Sequence, residues 1–399
     1  MNIEAHENRR INLYADCIPV RGASSSAIYD LTRQEIVRFP SEFLDVLEEA
    51  QQQTIGTVLS HLEDAASRQS AIEFFSFLSE HEFVNFSVDS DKLPLIDELW
   101  ETPCVIQNAI IDIRDSGHDY ESIFQQLDSL GCEVVEIRCF ASYQDLKEMH
   151  SILELANHTS IQGIELLLPY DPMCSDRSYI EFIERVSIVS RLTVHRAPEE
   201  RELVATFGCG NKEEASITKK VEFVRENLGS EKHCGVIHTG NLSVPSTPLF
   251  YENKLYNGCL NKKISIDAEG HIKQCPSMSV SFGHHRVTSL IEVALDKEFR
   301  QTGLIKKDDI AQCRDCEFRY GCTDCRAYRE DPGDVLSKPL KCGYNPYKGS
   351  WENWDRPANK WGAIKHYGLE EFISEKPPAS AQAVTSDNGR DPQLICTEN

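Results

Sequence analysis

Cys313-Arg-Asp-Cys-Glu-Phe-Arg-Tyr-Gly-Cys-Thr-Asp-Cys-Arg-Ala-Tyr328 is the stretch on which the reading of this chain turns. It holds two C-x2-C pairs five residues apart, and Cys342 follows sixteen residues after the second pair. Upstream, Cys259 and Cys275 flank ten residues, Gly270 and four more, and Pro276 follows Cys275 directly. The seven cysteines of this set are Cys259, Cys275, Cys313, Cys316, Cys322, Cys325 and Cys342. The other eight of the fifteen (Cys17, Cys104, Cys132, Cys139, Cys174, Cys209, Cys234 and Cys396) are scattered. A lone cysteine on an apolar segment, such as Cys104 or Cys139, reads as a small core residue.

The segment Met1 to Arg10 is polar and lacks the apolar core of a signal peptide. No apolar run approaches the ~18 residues a membrane span needs. A cytoplasmic location is therefore predicted, with no membrane partner. A reducing compartment makes a disulfide framework the wrong reading of fifteen cysteines, and metal binding or catalysis the better one. A cubane iron–sulfur cluster takes four thiolates at tetrahedral corners. A C-x2-C loop wraps two of them and distant cysteines supply the rest, and Cys-Pro pairs occur in ferredoxin cluster loops. Ile264, Ile266 and Gly270 predict a short hairpin delivering Cys259 and Cys275 from its two ends. Zinc is the rival for Cys313, Cys316, Cys322 and Cys325. Five residues between the pairs is short for a zinc ribbon, and zinc leaves Cys259, Cys275 and Cys342 unexplained.

Composition bounds the rest. At 399 residues the chain predicts two or three domains. Hydrophobic residues make up 40 %, and mean hydropathy is -0.40, as expected of soluble packed units. A formal net charge of -23 argues against a nucleic-acid partner, which phosphate recognition would require to present a basic face. Residues 1–100 carry 18 acidic against 7 basic side chains, whereas residues 251–350 carry 14 against 16. The second stretch is where the cysteines crowd. Arg314, Arg319, Arg326, Arg329 and Lys341 lie within it, either offsetting the negative charge of a thiolate-bound cluster or standing as solvated surface charge.

The order of elements predicts an α/β chain. Residues 11–87 read as a strand over Ile11 to Val20, short strands at Ala27 to Leu31 and Glu35 to Phe39, three helices, and a strand at Phe83 to Phe86: a winged-helix arrangement. From residue 101 to 240, strand starts recur roughly every 30 residues, the length of a βαβ unit. The strands are Val105 to Ile113, Val134 to Arg138, Ile161 to Leu168 and Leu192 to Ala197, with one more helix and strand over 217–239. Four or five such units predict a partial (β/α) barrel. The final 25 or so residues are polar, lack periodicity and read as a disordered tail. The predicted domains are 1–98, 99–240, 241–354 and a C-terminal extension over 355–399.

The cysteine spacing closely resembles the SPASM signature of radical-SAM peptide maturases, departing from it in a final pair that is one residue shorter than usual. That resemblance implies two [4Fe-4S] auxiliary clusters with interleaved ligands. Cys313, Cys316, Cys322 and Cys342 would hold the distal cluster, and Cys259, Cys275 and Cys325 the proximal one. The family's fourth proximal cysteine, just upstream of the Cys259 position, is missing from Asn253 to Gly258. That corner is left open, or is filled by Cys234, by His238 or by substrate. The run from Cys313 to Tyr328, continuing to Lys338-Pro-Leu-Lys-Cys-Gly-Tyr-Asn-Pro346, is similar to the SPASM peptide maturases of the grasp-with-spasm systems. So are Cys17-Ile-Pro-Val-Arg-Gly22 and Cys259-Leu-Asn-Lys-Lys-Ile-Ser-Ile-Asp267. The match spans roughly residues 10–354 and implies an ATP-grasp ligase and a ribosomally made precursor peptide as partners. Residues 11–87 likewise resemble the PqqD-like domains that bind a leader peptide by strand addition.

What radical-SAM chemistry needs is absent from the sequence. Its C-x3-C-x2-C would stand in the loop after the first barrel strand, yet Arg114-Asp-Ser-Gly-His-Asp119 has no cysteine, and no C-x3-C spacing occurs anywhere. No Gly-Gly-Glu-like segment follows the second strand, where Phe140-Ala-Ser stands. S-adenosylmethionine is therefore not expected as a cofactor. His118 and Asp119 could substitute as ligands but read as a solvated turn before a helix, and Asp112 and Asp115 as strand-end and turn residues. No phosphate loop, nucleophile elbow or HExxH motif offers other chemistry. Two functions follow: an iron–sulfur peptide maturase with no assignable catalytic residue, or a non-catalytic adaptor that presents the leader-bound precursor to the ligase, its clusters being structural.

Overall fold

A computed structural model describes residues 3–88, 96, 98, 100–114, 117–141, 145–208, 216–356 and 358–373. The expected tail with Cys396, together with Cys209 and Asp115, lies outside the described residues. The chain divides into two compact units, Met1–Trp100 with Val236–Gly258 and Ile305–Asn399, and Glu101–Gly235 with Cys259–Leu304.

In the first unit, β1 (Arg10–Leu13) pairs antiparallel with β5 (Val84–Ser87). Between them come β2 (Cys17–Val20), β3 (Ser25–Asp30) and β4 (Glu35–Pro40), an antiparallel sheet in that order, then helices α1 (Glu42–Gln52), α2 (Ile55–His61) and α3 (Ala65–Glu80). The single strand expected over Ile11 to Val20 is two strands. The chain turns at Tyr14, whose carbonyl accepts from Cys17 N at 3.0 Å, and Asp16 O accepts from Leu31 N at 3.0 Å. Pro19 lies in β2, and an edge strand is where a residue without an N–H fits a sheet. The helices start where Thr54 accepts from Thr57 N and Asp64 from Ser67 N. Their apolar stripes bury Leu44, Leu47, Val58, Phe75 and Leu78 against Ile11 and Ile28.

The same unit takes in the quoted cysteine stretch. Helix Thr247–Leu255 places Phe250 edge-on to Tyr29 of β3 (ring centroids 5.3 Å) and to Tyr320 (5.2 Å), so the N-terminal sheet and residues near 320 share one apolar cluster.

The second unit alternates β6 (Asn108–Ile113), α4 (Tyr120–Ser129), β7 (Val134–Cys139), α5 (Leu146–Ala156), β8 (Gly163–Pro169), α6 (Asp176–Arg185) and β9 (Val189–His195). It continues with β10 (Arg201–Gly208), β11 (Ser216–Phe223), β12 (Lys263–Ile266) and β13 (Ile272–Lys273). The sheet order is β10-β11-β9-β8-β7-β6-β12-β13. Neighbours from β11 through β12 are parallel, and only the outermost pairs are antiparallel. This is a mixed α/β fold with a large, mainly parallel sheet. The βαβ rhythm places Ile111, Ile137, Leu166 and Leu192 in one core with Phe124, Leu127, Met149 and Leu153 of the helices. The hairpin expected between Cys259 and Cys275 forms as β12 and β13, with Gly270 at φ +93°, a conformation that favours glycine. Its first strand also pairs in parallel with β6, Ile264 opposite Ala109. Over 201–223 the structure has an antiparallel strand pair, where the sequence reading placed one helix and one strand over 217–239. Among the described residues, no helix is long and apolar enough to cross a membrane.

Across β6 and β7, Arg138 grips Asp112 with two parallel bonds, Nε to Oδ1 at 2.7 Å and Nη2 to Oδ2 at 2.9 Å. Asp112 is 1 % exposed, so it is a buried ion-pair partner and more than a strand-end residue. Breaking a buried pair from one side leaves an uncompensated charge, at a cost of about 3–5 kcal/mol. Arg138→Met is expected to lower the stability of this unit by about that much in a denaturant titration. Combining it with Asp112→Leu should recover most of the loss.

Candidate metal centre

In the first unit the sequence-predicted residues Cys313, Cys322 and Cys342 lie near one buried ammonium, and Cys316 belongs to the same C-x2-C loop as Cys313. A short 3-10 turn, Cys313–Asp315, closes the first C-x2-C loop, with Cys316 N donating to Cys313 O at 3.0 Å. Cys342 is brought in by a bridge to Ile237. Lys307, 5 % exposed, sets its Nζ 3.5 Å from Cys322 Sγ, 3.4 Å from Thr323 O and 3.8 Å from Asp324 Oδ1. Burial opposes its charge, yet Cys322, Cys313, Asp324 and Cys342 hold its pKa well above the usual lysine value. Burial pushes the Cys313 thiol up to about 12, with Asp324, Cys342 and Cys322 adding to the rise and Lys307 opposing it. Cys316 is raised by burial, then by Glu317, Cys322 and Cys313; Cys322 is raised by burial and by Cys342. Cys313, Cys316 and Cys322 thus lie within electrostatic reach of one another, and Cys342 within reach of Cys313 and Cys322.

The neighbouring polar groups are fixed in turn. Asp324 receives Arg326 (Nε to Oδ2 2.6 Å, Nη2 to Oδ1 2.8 Å) and Asn257 Nδ2 at 2.5 Å. Glu317, fully buried between Cys316 and Phe318, accepts Arg38 Nε at 2.9 Å and the Tyr344 hydroxyl at 2.5 Å on the same oxygen. Its other oxygen has no hydrogen-bond partner among the described residues. Of the basic residues picked out within the motif, Arg319 pairs with Asp308, Arg326 with Asp324, and Arg329 donates to carbonyls of Arg326 and Pro332. Lys341 lies over the rings of Tyr328, Trp354 and Phe372. The cation that touches a thiol of this group is Lys307, outside the motif, which sequence reading missed because nothing in its spacing marks it.

The second unit holds a smaller group. Lys263 Nζ is 3.7 Å from Cys259 Sγ. Burial lowers the Lys263 pKa, but Cys259, Cys275, Glu136 and Cys234 outweigh this and raise it. Cys275 is pushed up to about 12 by burial and by Cys259 and Cys234. Cys325, half-buried, belongs to the first unit, while Cys259 and Cys275 belong to the second. Among the described residues, no three His, Cys, Asp or Glu side chains converge on the spacing a single metal ion requires. Cys17, Cys132 and Cys139 are core residues, and Cys104 is buried as well.

The loop after β6 departs from the solvated turn expected there. Asp119 does cap α4, accepting from Ser122 N. His118, however, is 8 % exposed. Its Nε2 donates to Asp112 O at 2.8 Å, which leaves Nδ1 as the acceptor for His285 Nε2 at 3.2 Å. His285 Nδ1 is buried without a partner among the described residues. A polar residue between strand and helix is ordinarily solvated; here burial follows from the packing of the segment after β13, which a local reading does not see.

No family model matches the chain, and no curated protein matches it. Among solved structures it is similar to SuiB of Streptococcus suis. The crystal structure of SuiB bound to S-adenosylmethionine is 10 % identical, with a TM-score of 0.27 over 82 % of this chain and 98 % of that one. SuiB bound to precursor peptide SuiA gives 10 % identity and a TM-score of 0.26 over 79 % and 96 %. Another SuiB structure gives 11 % and 0.27 over 79 % and 96 %. Identities and TM-scores this low do not establish a shared fold.

Burial drives the His285 pKa down to about 4, and the charges of His118, His284 and Arg286 lower it further against a small opposing effect of Asp119. In the unfolded chain a histidine titrates near 6.5. Between those two values the unfolded state binds a proton that the folded state refuses, so stability falls as pH drops through this window. Urea midpoints at pH 7 and pH 5 should therefore differ, and His285→Gln should shrink the difference.

Proposed function

We propose that this chain is an iron–sulfur SPASM peptide maturase that acts with an ATP-grasp ligase on a ribosomally made precursor peptide. The observation that carries the reading is the placement of Cys322, Cys313 and Cys342 near buried Lys307 in the first unit, with Cys316 closing the C-x2-C loop that begins at Cys313. Two buried and two half-buried cysteines form a soft, anionic donor set once deprotonated, and metal binding is what displaces such protons. Thiolates are the donors that an iron–sulfur cluster takes. These four would hold the distal [4Fe-4S] cluster, and Cys259, Cys275 and Cys325 would contribute to the proximal one. A bound cluster supplies one-electron chemistry. The chain's own part is to keep water from the thiols and to set Lys307 and Lys263 against their charge.

One observation favours the second reading, an adaptor with structural clusters. The segment from Arg114 to Asp119 offers His118 and acidic residues but no thiolate, so the site where S-adenosylmethionine would be cleaved has no ligand set. In the adaptor reading the N-terminal strands bind the leader, and the open outer edges of β2 and β4 are where an extended peptide could add.

Anaerobically purified protein is expected to carry about eight irons and matching sulfide per chain, with broad absorbance near 400 nm that bleaches on reduction. Cys313→Ala, Cys316→Ala, Cys322→Ala and Cys342→Ala should each remove about half of the iron. A colourless protein with one or two zinc ions would overturn the reading. In a system reconstituted with precursor and ligase, the mass of the peptide separates the two functions. A mass change that needs this protein and exceeds ligation identifies the maturase. Slower ligation alone in its absence identifies the adaptor.

A further inference from the structure

Cys234 lies 25 positions before Cys259, outside the seven-cysteine pattern. The structure ties its turn to the turn that carries Cys275. The short turn Glu231–His233 ends with Cys234 N donating to Glu231 O at 3.2 Å. That same carbonyl accepts Ser277 Oγ at 3.1 Å, two residues past Cys275. Cys275 in turn is fixed by Met278 N donating to its carbonyl at 3.0 Å. The turn carrying Cys234 is thereby tied to the turn carrying Cys275, while Cys259 stands beside Lys263 Nζ at 3.7 Å. Crowding by the protein and then the Cys259 charge raise the Cys234 pKa, and Arg138 and Lys263 counter this. The shared Glu231 carbonyl thus brings Cys234 into the neighbourhood of Cys275, and Lys263 stands beside Cys259 in the same unit. His238, the other side chain considered for this corner, already accepts Gly240 N on Nδ1 at 3.0 Å.

We propose that Cys234 is a thiolate ligand of the proximal iron–sulfur cluster, so that the second unit itself supplies three ligands: Cys234, Cys259 and Cys275. The proposal rests on the iron–sulfur reading above. On assembly from iron and sulfide, each sulfur exchanges its proton, released to solvent, for a bond to iron. Lys263 and Arg138 then offset the net negative charge of the thiolate-bound cluster.

The test uses the full chain, reconstituted anaerobically with iron and sulfide. Cys234→Ala and Cys234→Ser are compared with wild type, with Cys259→Ala, and with Cys104→Ala as a buried control whose thiol belongs to no cluster. The expected result is that Cys234→Ala loses the same share of iron as Cys259→Ala, roughly half, and alters the paramagnetic spectrum of the reduced protein. Cys104→Ala should keep the full iron content. Iodoacetamide should spare Cys234 in loaded protein and label it once iron is chelated away, a readout that needs no variant and so is free of folding effects. Wild-type iron and spectrum in Cys234→Ala overturn the proposal, as does equal labelling of loaded and stripped protein. So does recovery of Cys234 in a disulfide. In each of these cases wild type still binds iron and the functional reading stands; a wild type that takes up no iron overturns both.

Discussion

The buried carboxylate of Glu317 is the contact on which the cysteine stretch of the first unit depends. A charge with no access to water must be paired or it destabilises the fold by several kcal/mol. Here Arg38 of β4 and the Tyr344 hydroxyl share one of its oxygens, and the Tyr29 hydroxyl donates to its backbone carbonyl at 2.9 Å. Glu317 is the residue after Cys316. The N-terminal sheet therefore sets the position of a cysteine more than 270 residues further along, and Phe318 and Tyr344 stack under the Arg38 guanidinium to complete the clamp. The N-terminal sheet is the wall against which the thiol loop is built.

Each thiol group has its own lysine, Lys307 in the first unit and Lys263 in the second. Both are short links between a cationic point charge and sulfur, without the geometric demands of an arginine fork. The motif's arginines serve otherwise: they hold carboxylates and carbonyls that shape the loop. Charge compensation and loop architecture are thus divided between two residue types, which a count of positive charge in the stretch merges into one.

Much of this was legible in the sequence for a physical reason: helices and buried parallel strands announce themselves by periodicity. The α/β alternation of the second unit and the hairpin at Gly270 are local patterns, and both form. The strand pair β10–β11 was missed because its alternation is broken by Lys219. That residue points inward, and its ammonium takes the carbonyls of Ile183, Val186 and Ser187 at 2.9–3.0 Å, closing the end of α6. A strand with a lysine at a core position does not read as one. The pairing of β12 with β6 joins residues about 155 apart and leaves no local trace. The same holds for His118, whose burial is decided by His285, and for Lys307. The C-x2-C pairs are local spacings that the sequence displays directly, whereas the tie between the Cys234 and Cys275 turns depends on a bond made by Ser277.

The first unit is assembled from three separate pieces of chain, with the second unit's segments running between them. During synthesis at ~5–20 residues per second, the roughly 240 residues between Trp100 and Cys342 take on the order of ten to fifty seconds to emerge. Through that interval Arg38 and Tyr29 wait on the nascent chain without Glu317, and Phe250 arrives well before Tyr320. The wall for the thiol loop is therefore laid down long before the loop itself, and the last thiol of the first unit's group, Cys342, arrives only after the other three have left the ribosome, so the loop closes on its wall as one of the final events of synthesis.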